Sequence, residues 1–261
     1  MTTNNAAPPH SAAAPTRHLV LIPSYNTGAR LAPTILSARH HDLPVCVIID
    51  GSTDDSESTV GEMAASDPSI LLCVLTRNSG KGAAILHGLH KAQALGYTHV
   101  LTMDADGQHS AAHIPALISL SHQHPAAMIL GVPEFDDSAP GIRVLGHRVA
   151  NFCTHLVCLG GGIEDSLFGF RTYPVAALLE AFAATCWMRR FDFDSEAAIR
   201  LYWQGGQPIN IATPVRYFRR EAGGVSHFNY LRDNLLLAFM YLRLALLCLR
   251  SLARRLSPFR H

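Results

Sequence analysis

Short hydrophobic runs alternate with longer mixed segments through the first half of the chain. Each run is rich in Val, Ile and Leu and ends in turn-forming residues, which is typical of buried parallel strands. The runs are residues 18–24, 44–50, 70–75 and the segment that ends at Asp104. Segments of helical length separate them, such as Arg30 to His40 and the Ala/Leu-rich residues 78–96. The alternation predicts an α/β fold in which helices flank a mostly parallel sheet.

The second half of the chain continues this pattern less regularly. Residues 126–131 and 208–217 are predicted as strands, and residues 113–124 and 176–184 as helices. The acidic segment FDFDSE leads into a further helix. Because no internal repeat or second hydrophobic core is visible, we expect one domain over residues 18–228.

Both ends of the chain differ from this domain. Residues 1–17 are rich in Ala, Pro and Thr and lack the features of a signal peptide, which predicts a disordered leader. Residues 229–261 contain an apolar run interrupted by arginines. Residues 235–242 are too few to span a bilayer, and extension to Leu249 includes Arg243. We therefore expect a basic amphipathic helix that lies on a membrane, with packing on the domain or on a partner protein as the alternative.

The charge distribution supports this interpretation of the C-terminal segment. The formal net charge of the whole chain is only +1. From Pro214 onward, however, nine arginines accompany two acidic residues, a net +7, whereas the preceding part has 12 basic and 18 acidic residues, a net −6. The C-terminal part is thus suited to an anionic surface.

The six cysteines form no CxxC pair and lie mostly in apolar runs. This pattern indicates reduced thiols in a cytosolic protein and argues against a zinc site.

Polar residues gather directly after four of the predicted strands. Parallel strands end at the same edge of a sheet, and the ligands of such sheets bind beyond that edge. The polar segments are residues 23–26, 50–55, 78–81 and 104–108. They therefore predict a single site.

The segment DADGQ carries the most specific chemistry of the four. Asp104, Asp106 and Gln108 are spaced i, i+2, i+4 where a strand passes into a loop. Two carboxylates and an amide can converge on one hard divalent cation, Mg²⁺ or Mn²⁺, which would also bridge substrate phosphates. Alone, such a motif is more often a solvated acidic turn, so the neighbouring segments decide between the two interpretations.

These segments, with several later ones, resemble the family 2 glycosyltransferases of the GT-A fold, in the branch typified by dolichyl-phosphate mannose synthase. The matching motifs, in family order, are VLIPSYN (20–26), VIIDGSTDDS (47–56), NSGKGAAILHGL (78–89), MDADGQH (103–109), DSLFGFRTYP (165–174) and FDFDSEAAIRLYWQGG (191–206). The ordered set is specific, although each motif alone is not. GVPEFDDSAP and GGVSHFNYLRDN are similar to stand-alone glycosyltransferases of bacterial aryl-polyene lipid gene clusters.

The resemblance implies a donor site for a nucleotide-diphosphate sugar. The implied metal ligands are Asp104, Asp106 and Gln108, which would hold Mg²⁺ or Mn²⁺ on the diphosphate. The implied donor-binding residues are Pro23, Tyr25, Asn26, Asp50, Lys81 and Asp104. Lys81 follows a glycine at a predicted helix start, where it can meet phosphate together with free backbone N–H groups.

For the acceptor side, the resemblance points to FDFDSEAAIRLYWQGG, where this family keeps its general base. Arg200 and Gly205 align Asp194 with that base, and Asp192 is the second catalytic candidate. An alcohol acceptor needs a base to take its proton, whereas a lipid phosphate is already an anion that Asp194 would only orient. Capping of a helix N-terminus is the alternative role for these acids.

Arginines are the expected ligands of an acceptor phosphate. The candidates by position are Arg143, Arg148 and Arg171, of which Arg171 in GFRTYP has the firmest motif match. Each of them can instead be an ordinary surface or ion-pair arginine.

Some positions depart from the family pattern. Ile49 replaces the first of two acids, which commonly contacts the nucleotide base, so the base is left open. Thr27 stands where the family has Glu, and Phe168 where it has Ser. Val132 and Pro133 replace Ser-Arg, and the loss of that arginine weakens the case for a polyprenyl phosphate handled in the standard way.

The sequence thus predicts an inverting, metal-dependent glycosyltransferase that moves a sugar from a nucleotide-diphosphate sugar to a lipid or lipid-linked acceptor. We expect it in the cytoplasm, peripheral to the cytoplasmic membrane, with no nucleic acid partner. The alternative is a catalytically degenerate GT-A protein that binds a nucleotide sugar or scaffolds a lipid-assembly complex. A nucleotidyltransferase is disfavoured because PSYNTGAR supplies no basic Gly-rich phosphate loop after the first strand.

Overall fold

The computed structural model describes residues 15–136, 139–215 and 230–256. The strands are β1 (His18–Ser24), β2 (Val45–Asp50), β3 (Ile70–Leu75), β4 (His99–Thr102), β5 (Met128–Glu134), β6 (Arg171–Pro174) and β7 (Pro208–Pro214). The helices are α1 (Leu31–Arg39), α2 (Ser56–Ser66), α3 (Lys81–Ala94), α4 (Ile114–Gln123), α5 (Gly141–Val157), α6 (Val175–Ala183), α7 (Phe193–Trp203) and α8 (Tyr230–Leu256). The predicted alternation of strands and helices is confirmed.

All seven strands join one sheet in the order β3-β2-β1-β4-β6-β5-β7. The pairs β1–β2, β1–β4, β2–β3 and β5–β7 are parallel, and only β6 runs antiparallel to its neighbours β4 and β5. The sheet is therefore mostly parallel, as predicted. The carboxyl ends of β1, β2, β3 and β4 lie at one edge, which brings the four polar segments together.

Apolar side chains cover both faces of the sheet. In β1, Leu19 and Leu21 pack into the core on one face, and Val20 and Ile22 into the core on the other. All four side chains are fully buried. Because a central parallel strand is covered by helices on both sides, its sequence is continuously apolar rather than alternating.

Two predictions at the chain ends lie wholly or partly outside the described residues. The leader is described only from residue 15, and the segment 216–229 contains most of the GGVSHFN part of the aryl-polyene motif. The aryl-polyene resemblance stays a prediction. Strand β7 is described from Pro208 to Pro214, and the last two residues of its predicted extent, 216 and 217, lie outside the described residues.

Helix α8 packs one side against the domain. Leu237, Met240 and Leu244, spaced three and four residues apart, are buried in the core. The guanidinium of Arg243 binds the buried carboxylate of Glu196. Arg243 therefore points into the domain and not away from it toward a membrane surface.

The length expected for the apolar part of this helix also needs correction. Residues Leu231–Arg254 form a helix long and apolar enough to cross a membrane by length and composition alone. The sequence estimate was shorter because it counted Arg243 as a break in the apolar face.

Three histidines meet at the opposite edge of the sheet from the polar segments. The ring of His18 stacks on His99 at 5.0 Å and meets the edge of His122 at 4.7 Å. Its Nε2 is 3.0 Å from the Ser121 hydroxyl. Burial lowers the pKa of His18 to about 4, and the nearby His99 and His122 add to this shift. His18 is thus neutral when the protein is folded at neutral pH.

This cluster makes stability depend on pH in acid. The unfolded chain binds a proton at His18 below its ordinary pKa of 6.5, whereas the folded chain does so only near 4, so stability falls between these values. At pH 5 the loss from His18 is about 2 kcal/mol in the free energy of unfolding. Urea unfolding at pH 7.5 and pH 5 should show this loss for the wild type and a smaller one for His18→Gln. His90→Gln, at an exposed position on α3, is the control that should keep the full loss.

Candidate active site

A cavity of about 1150 Å³ opens at the carboxyl edge of the sheet. Its floor is formed by residues that follow β1, β2 and β4, and by the start of α3. Its walls come from α5, α7 and α8. The predicted site residues that line it are Pro23, Tyr25, Asp50, Lys81, Asp104, Asp106, Gln108, Arg143 and Asp194. The cavity thus collects most of the residues singled out from the sequence.

The loop after β4 carries Asp104, Asp106 and Gln108 into the cavity. Gly107 adopts a φ of +75°, which lets the chain turn sharply between Asp106 and Gln108. The backbone N–H of Gln108 donates to Asp106 Oδ1 at 3.0 Å. All three oxygen-bearing side chains of this loop line the cavity.

The ammonium group of Lys81 lies between two carboxylates. Its Nζ is 2.7 Å from Asp104 Oδ1 and 2.7 Å from Asp194 Oδ2. Burial by itself lowers the pKa of Lys81, but the two carboxylates outweigh it and hold the pKa above its ordinary value. Lys81 is therefore a fixed positive charge that joins α3, the β4 loop and α7.

The carboxylates around this lysine have shifted pKa values. Burial raises the pKa of Asp106 to about 6, and repulsion from Asp104 adds to the shift. Burial also raises the pKa of Asp194, although Lys81 partly offsets it. Partial burial opposes ionisation of Asp104, but the charge of Lys81 prevails and lowers its pKa to about 2. The loop therefore holds more negative charge than Lys81 alone neutralises.

The acidic loop fits a divalent cation held jointly by protein and substrate. Its donors are two carboxylates and an amide oxygen, and the raised pKa of Asp106 shows a position that a further positive charge would stabilise. Among the described residues no cluster of three His, Cys, Asp or Glu side chains forms a complete metal site. Mg²⁺ is commonly held by one or two carboxylates together with substrate phosphates, so an incomplete protein site is consistent with this mode.

Asp50 has a positioning role at the cavity wall. Its two carboxylate oxygens each accept a hydrogen bond of 2.8 Å, from the backbone N–H groups of Ser79 and Gly80. Gly80 has a φ of +100°, which favours glycine, and it directly precedes Lys81. Asp50 thereby fixes the turn from which Lys81 enters the site.

Asn26 also holds a loop and does not line the cavity. Its Oδ1 accepts a hydrogen bond of 2.7 Å from the backbone N–H of Thr53, and its own backbone N–H donates to Ser52 Oγ at 3.0 Å. These bonds tie the segment after β1 to the segment after β2. Tyr25, the preceding residue, lines the cavity, and its contact with a donor stays a prediction.

Asp192 lies behind the cavity wall. Its carboxylate accepts hydrogen bonds from the backbone N–H groups of Arg190 at 2.9 Å and Met188 at 3.2 Å. It thus holds the turn that leads into α7. Asp194, two residues later, lines the cavity, and its Oδ1 is buried with no hydrogen-bond partner among the described residues. Of the two acids, only Asp194 is placed to act in the cavity.

Arg171 cannot meet an acceptor phosphate in this arrangement. Its side chain has 0% exposure and lies beneath the cavity rather than in it. The guanidinium donates to the backbone carbonyl oxygens of Asp165 and Asp194 and to the hydroxyl of Tyr173. The residue that matches the family motif therefore stabilises the start of α7, through its hydrogen bond to the Asp194 carbonyl oxygen.

The two other arginine candidates are placed differently. Arg143 lines the cavity, and its guanidinium is 3.4 Å from Gln108 Oε1. Arg148, on the same helix, is exposed and does not line the cavity. Only Arg143 is near the DADGQ loop.

His109 belongs to the site although it was not among the predicted site residues. Its Nδ1 accepts a hydrogen bond of 3.1 Å from the backbone N–H of Asp104, and its Nε2 is 3.5 Å from Asp104 Oδ2. Burial lowers the pKa of His109 to about 4, which keeps the ring neutral with its proton on Nε2. His109 thus orients the Asp104 carboxylate. Its position directly after DADGQ was the available signal.

A second histidine, His147 of α5, was also missed from the sequence. Its Nδ1 is 2.6 Å from Asp165 Oδ2, and the ring lines the cavity. The other Asp165 oxygen accepts hydrogen bonds from the backbone N–H groups of Leu167 and Phe168. His147 is 18 residues from Asp165 in the chain, so no local spacing pointed to the pair.

The match to known proteins agrees with this geometry. The model of the family described as glycosyl transferase family 2 matches residues 19–196 of the chain. The chain belongs to glycosyl transferase family 2. This match spans β1 to the start of α7 and thus includes the DADGQ loop, Lys81 and Asp194.

Two relatives and one solved structure are also similar to this chain. The chain is 28% identical over 215 residues to polyprenol monophosphomannose synthase of Mycolicibacterium smegmatis, covering 79% of each chain. It is 26% identical over 222 residues to undecaprenyl-phosphate mannosyltransferase of Micrococcus luteus, covering 79% of this chain and 86% of that protein. Glucosyl-3-phosphoglycerate synthase of Mycobacterium tuberculosis, solved with Mn²⁺, UDP-glucose and phosphoglyceric acid, has a TM-score of 0.61 at 18% identity, covering 90% of this chain and 79% of that one. That structure confirms the GT-A fold. The protein is therefore a glycosyltransferase.

Gly169 lies so close to the Lys81 ammonium that a larger side chain at this position should disturb the site. A Cβ at this glycine would lie 2.5 Å from Lys81 Nζ and 3.3 Å from Asp104 Oδ1. Gly169→Ala should therefore displace the ammonium from between its carboxylates and lower transferase turnover by about tenfold or more. Gly141→Ala, at the start of α5 where a Cβ meets open space, is the matched control and should keep full activity. Equal rates for both variants in a nucleotide-sugar turnover assay would contradict this role of the Lys81 position.

Proposed function

We propose that this glycosyltransferase moves a sugar from a nucleotide-diphosphate sugar to a lipid phosphate, with inversion at the anomeric carbon and with Mg²⁺ or Mn²⁺ bound at the DADGQ loop. The observation that carries the proposal is the convergence of Asp104, Asp106 and Gln108 with Lys81 and Asp194 in one cavity. The names of the two relatives above, which specify polyprenol and undecaprenyl phosphate acceptors, support the acceptor class.

The donor is proposed to bind along the edge of β1, β2 and β4. Tyr25 and Pro23 line the end of the cavity next to β1 and would contact the base and ribose. Asp104, Asp106 and Gln108 would hold the metal, which when bound neutralises charge on the departing nucleoside diphosphate. Lys81 keeps the Asp104 carboxylate in place, and His109 orients it from the other side.

The acceptor is proposed to enter between α5 and α8. Arg143 lines this part of the cavity, as does Arg232 of α8, and guanidinium groups bind phosphate oxygens in bidentate geometry. An oxygen of the lipid phosphate attacks the anomeric carbon as the bond from that carbon to the donor diphosphate breaks. One displacement of this kind inverts the configuration.

Asp194 is proposed to orient the acceptor rather than to remove a proton. It is already paired with Lys81 at 2.7 Å, and a lipid phosphate carries no proton that must leave during attack. The C-terminal helix would hold the enzyme at the cytoplasmic face of the membrane, where lipid phosphates reside. This localisation follows from the proposed acceptor and from the apolar, arginine-bearing character of α8.

The metal-binding role is tested by replacing the two carboxylates separately. Asp104→Asn and Asp106→Asn should each lower metal-dependent turnover by on the order of 10²-fold or more, because each removes a charged oxygen ligand. Turnover is measured with a panel of nucleotide sugars and Mg²⁺ or Mn²⁺. Glu62→Gln, at an exposed position on α2, is the control. Full activity in both aspartate variants would refute the assignment. Binding of a nucleotide sugar without turnover, over a wide acceptor panel, would favour the catalytically degenerate scaffold.

The role of Asp194 separates the two acceptor classes. With a polyprenyl phosphate as acceptor, Asp194→Asn should reduce the turnover number by only about tenfold, because it loosens Lys81 but removes no required general base. A loss of about 10²–10⁴-fold would instead indicate that Asp194 accepts a proton from an alcohol. Rates with polyprenyl phosphate and with polyprenol, measured side by side, check this prediction. A thermal melt of the variant excludes loss of folding as the cause.

A further inference from the structure

Helix α5 exposes a continuous apolar stripe to the outside of the molecule. Five large apolar side chains along it are 55–63% exposed: Ile142, Leu145, Val149, Phe152 and Leu156. They recur every three or four residues, so they lie on one face of the helix. Leu159, just beyond the helix, is 67% exposed and extends the stripe.

The opposite face of α5 is packed against the rest of the protein. Ala150, Thr154 and Val157 are buried. The Thr154 hydroxyl is 3.0 Å from the hydroxyl of Tyr241, which joins α5 to α8. Because these contacts fix the rotation of α5, its stripe is held outward.

Helix α8 adds a second apolar face beside it. Its exposed side chains include Leu235, Phe239, Leu242, Leu246 and Leu249. Arg243 is the only charged residue between Leu235 and Leu249, and it binds Glu196 in the interior. The outer face of α8 is therefore free of charge over 15 residues, a length of about 22 Å.

The active-site cavity opens at the junction of these two helices. Ile142, Leu145 and Val149 are exposed and also line the cavity, and Leu237 and Ala238 line it from α8. An acyl or prenyl chain lying along the two helices thus meets apolar side chains of both helices where it enters the cavity.

The charges that flank the apolar faces are positive. Arg148 is exposed on α5, and Arg250 and Arg254 are exposed near the end of α8. Helix α5 contains no acidic residue, and the single acid of α8, Asp233, is buried. This distribution is complementary to an anionic lipid surface, on which long basic side chains reach headgroups while apolar ones enter the acyl region.

We propose that α5 and α8 together form a membrane-docking face, defined by their exposed apolar side chains, that seats the cavity mouth on an anionic bilayer. The face extends the proposed function, because it delivers a lipid acceptor directly to the site. Helix α8 lies in the plane of the bilayer surface rather than across it, since Leu237, Met240, Leu244 and Arg243 hold its inner side against the domain.

The experiment measures flotation of the full chain with lipid vesicles. One set of vesicles contains phosphatidylethanolamine and phosphatidylglycerol, and the other contains phosphatidylcholine alone. The α5 variant is Phe152→Gln with Leu156→Gln, and the α8 variant is Leu242→Gln with Leu246→Gln; all four positions are exposed and none lines the cavity. The matched control is Leu36→Gln with Leu95→Gln, two exposed leucines that lie on neither helix.

The wild type and the control should float with the anionic vesicles and bind the phosphatidylcholine vesicles more weakly. Either docking-face variant should lose about tenfold or more in partitioning, because each removes two apolar side chains from the bilayer. High salt should weaken binding to the anionic vesicles, since the arginine contribution is screened. Unchanged thermal melts would show that the variants are folded.

Two results would overturn the proposal. If the α5 variant binds vesicles as the wild type does while the α8 variant does not bind them, α8 alone is the membrane contact. If the wild type does not bind vesicles but forms a dimer, and the α5 variant is a monomer, a second copy of the chain covers the face.

Metal-dependent binding of nucleotide sugars to the same wild-type sample is measured in parallel. This binding measurement tests the proposed function separately from membrane docking, because neither docking-face variant alters a residue that lines the cavity.

Discussion

The ion pairs of Lys81 with Asp104 and Asp194 are the interaction on which the active site depends. They join the start of α3, the loop after β4 and the start of α7, which are 23 and 90 residues apart along the chain. A buried ammonium between two carboxylates is stable only because its charge is matched there, and loss of one partner leaves an uncompensated charge. Asp50 sets the turn before Lys81, and Arg171 supports the backbone of Asp194. Several polar residues of the site thus act by holding this arrangement in place.

A second buried carboxylate, Glu196, determines how the C-terminal helix meets the domain. Its side chain is fully buried and accepts hydrogen bonds from Arg200 and Arg243. The guanidinium of Arg243 also lies 5.1 Å from the ring centre of Trp187. Because the Arg243 side chain points inward to Glu196, it adds no charge to the outer face of α8. The same contact therefore stabilises the packing of the helix and leaves its outer surface apolar.

The fold was largely predictable, and so was the group of residues that meet in the cavity. Continuous apolar runs indicated the strands, and the parallel arrangement placed the residues after β1, β2, β3 and β4 at one edge. A strand was expected in the segment that ends at Pro174, but the antiparallel direction of β6 was not foreseen, because four residues are too few for a pattern to distinguish direction. The roles of Arg171 and Asp192 were also not predictable, since a motif match identifies a position but not the direction in which its side chain points.

The sequence by itself determined the fold class, the family and the position of the acidic loop after β4, because these depend on residue types at short, fixed spacing. Only the tertiary structure decided which charged groups pair. It placed Lys81 between two distant carboxylates, turned Arg171 and Arg243 inward, and paired His147 with Asp165. The physical reason is that a charged side chain is stable in the interior only beside a partner, and that partner is supplied by packing between elements far apart in the chain.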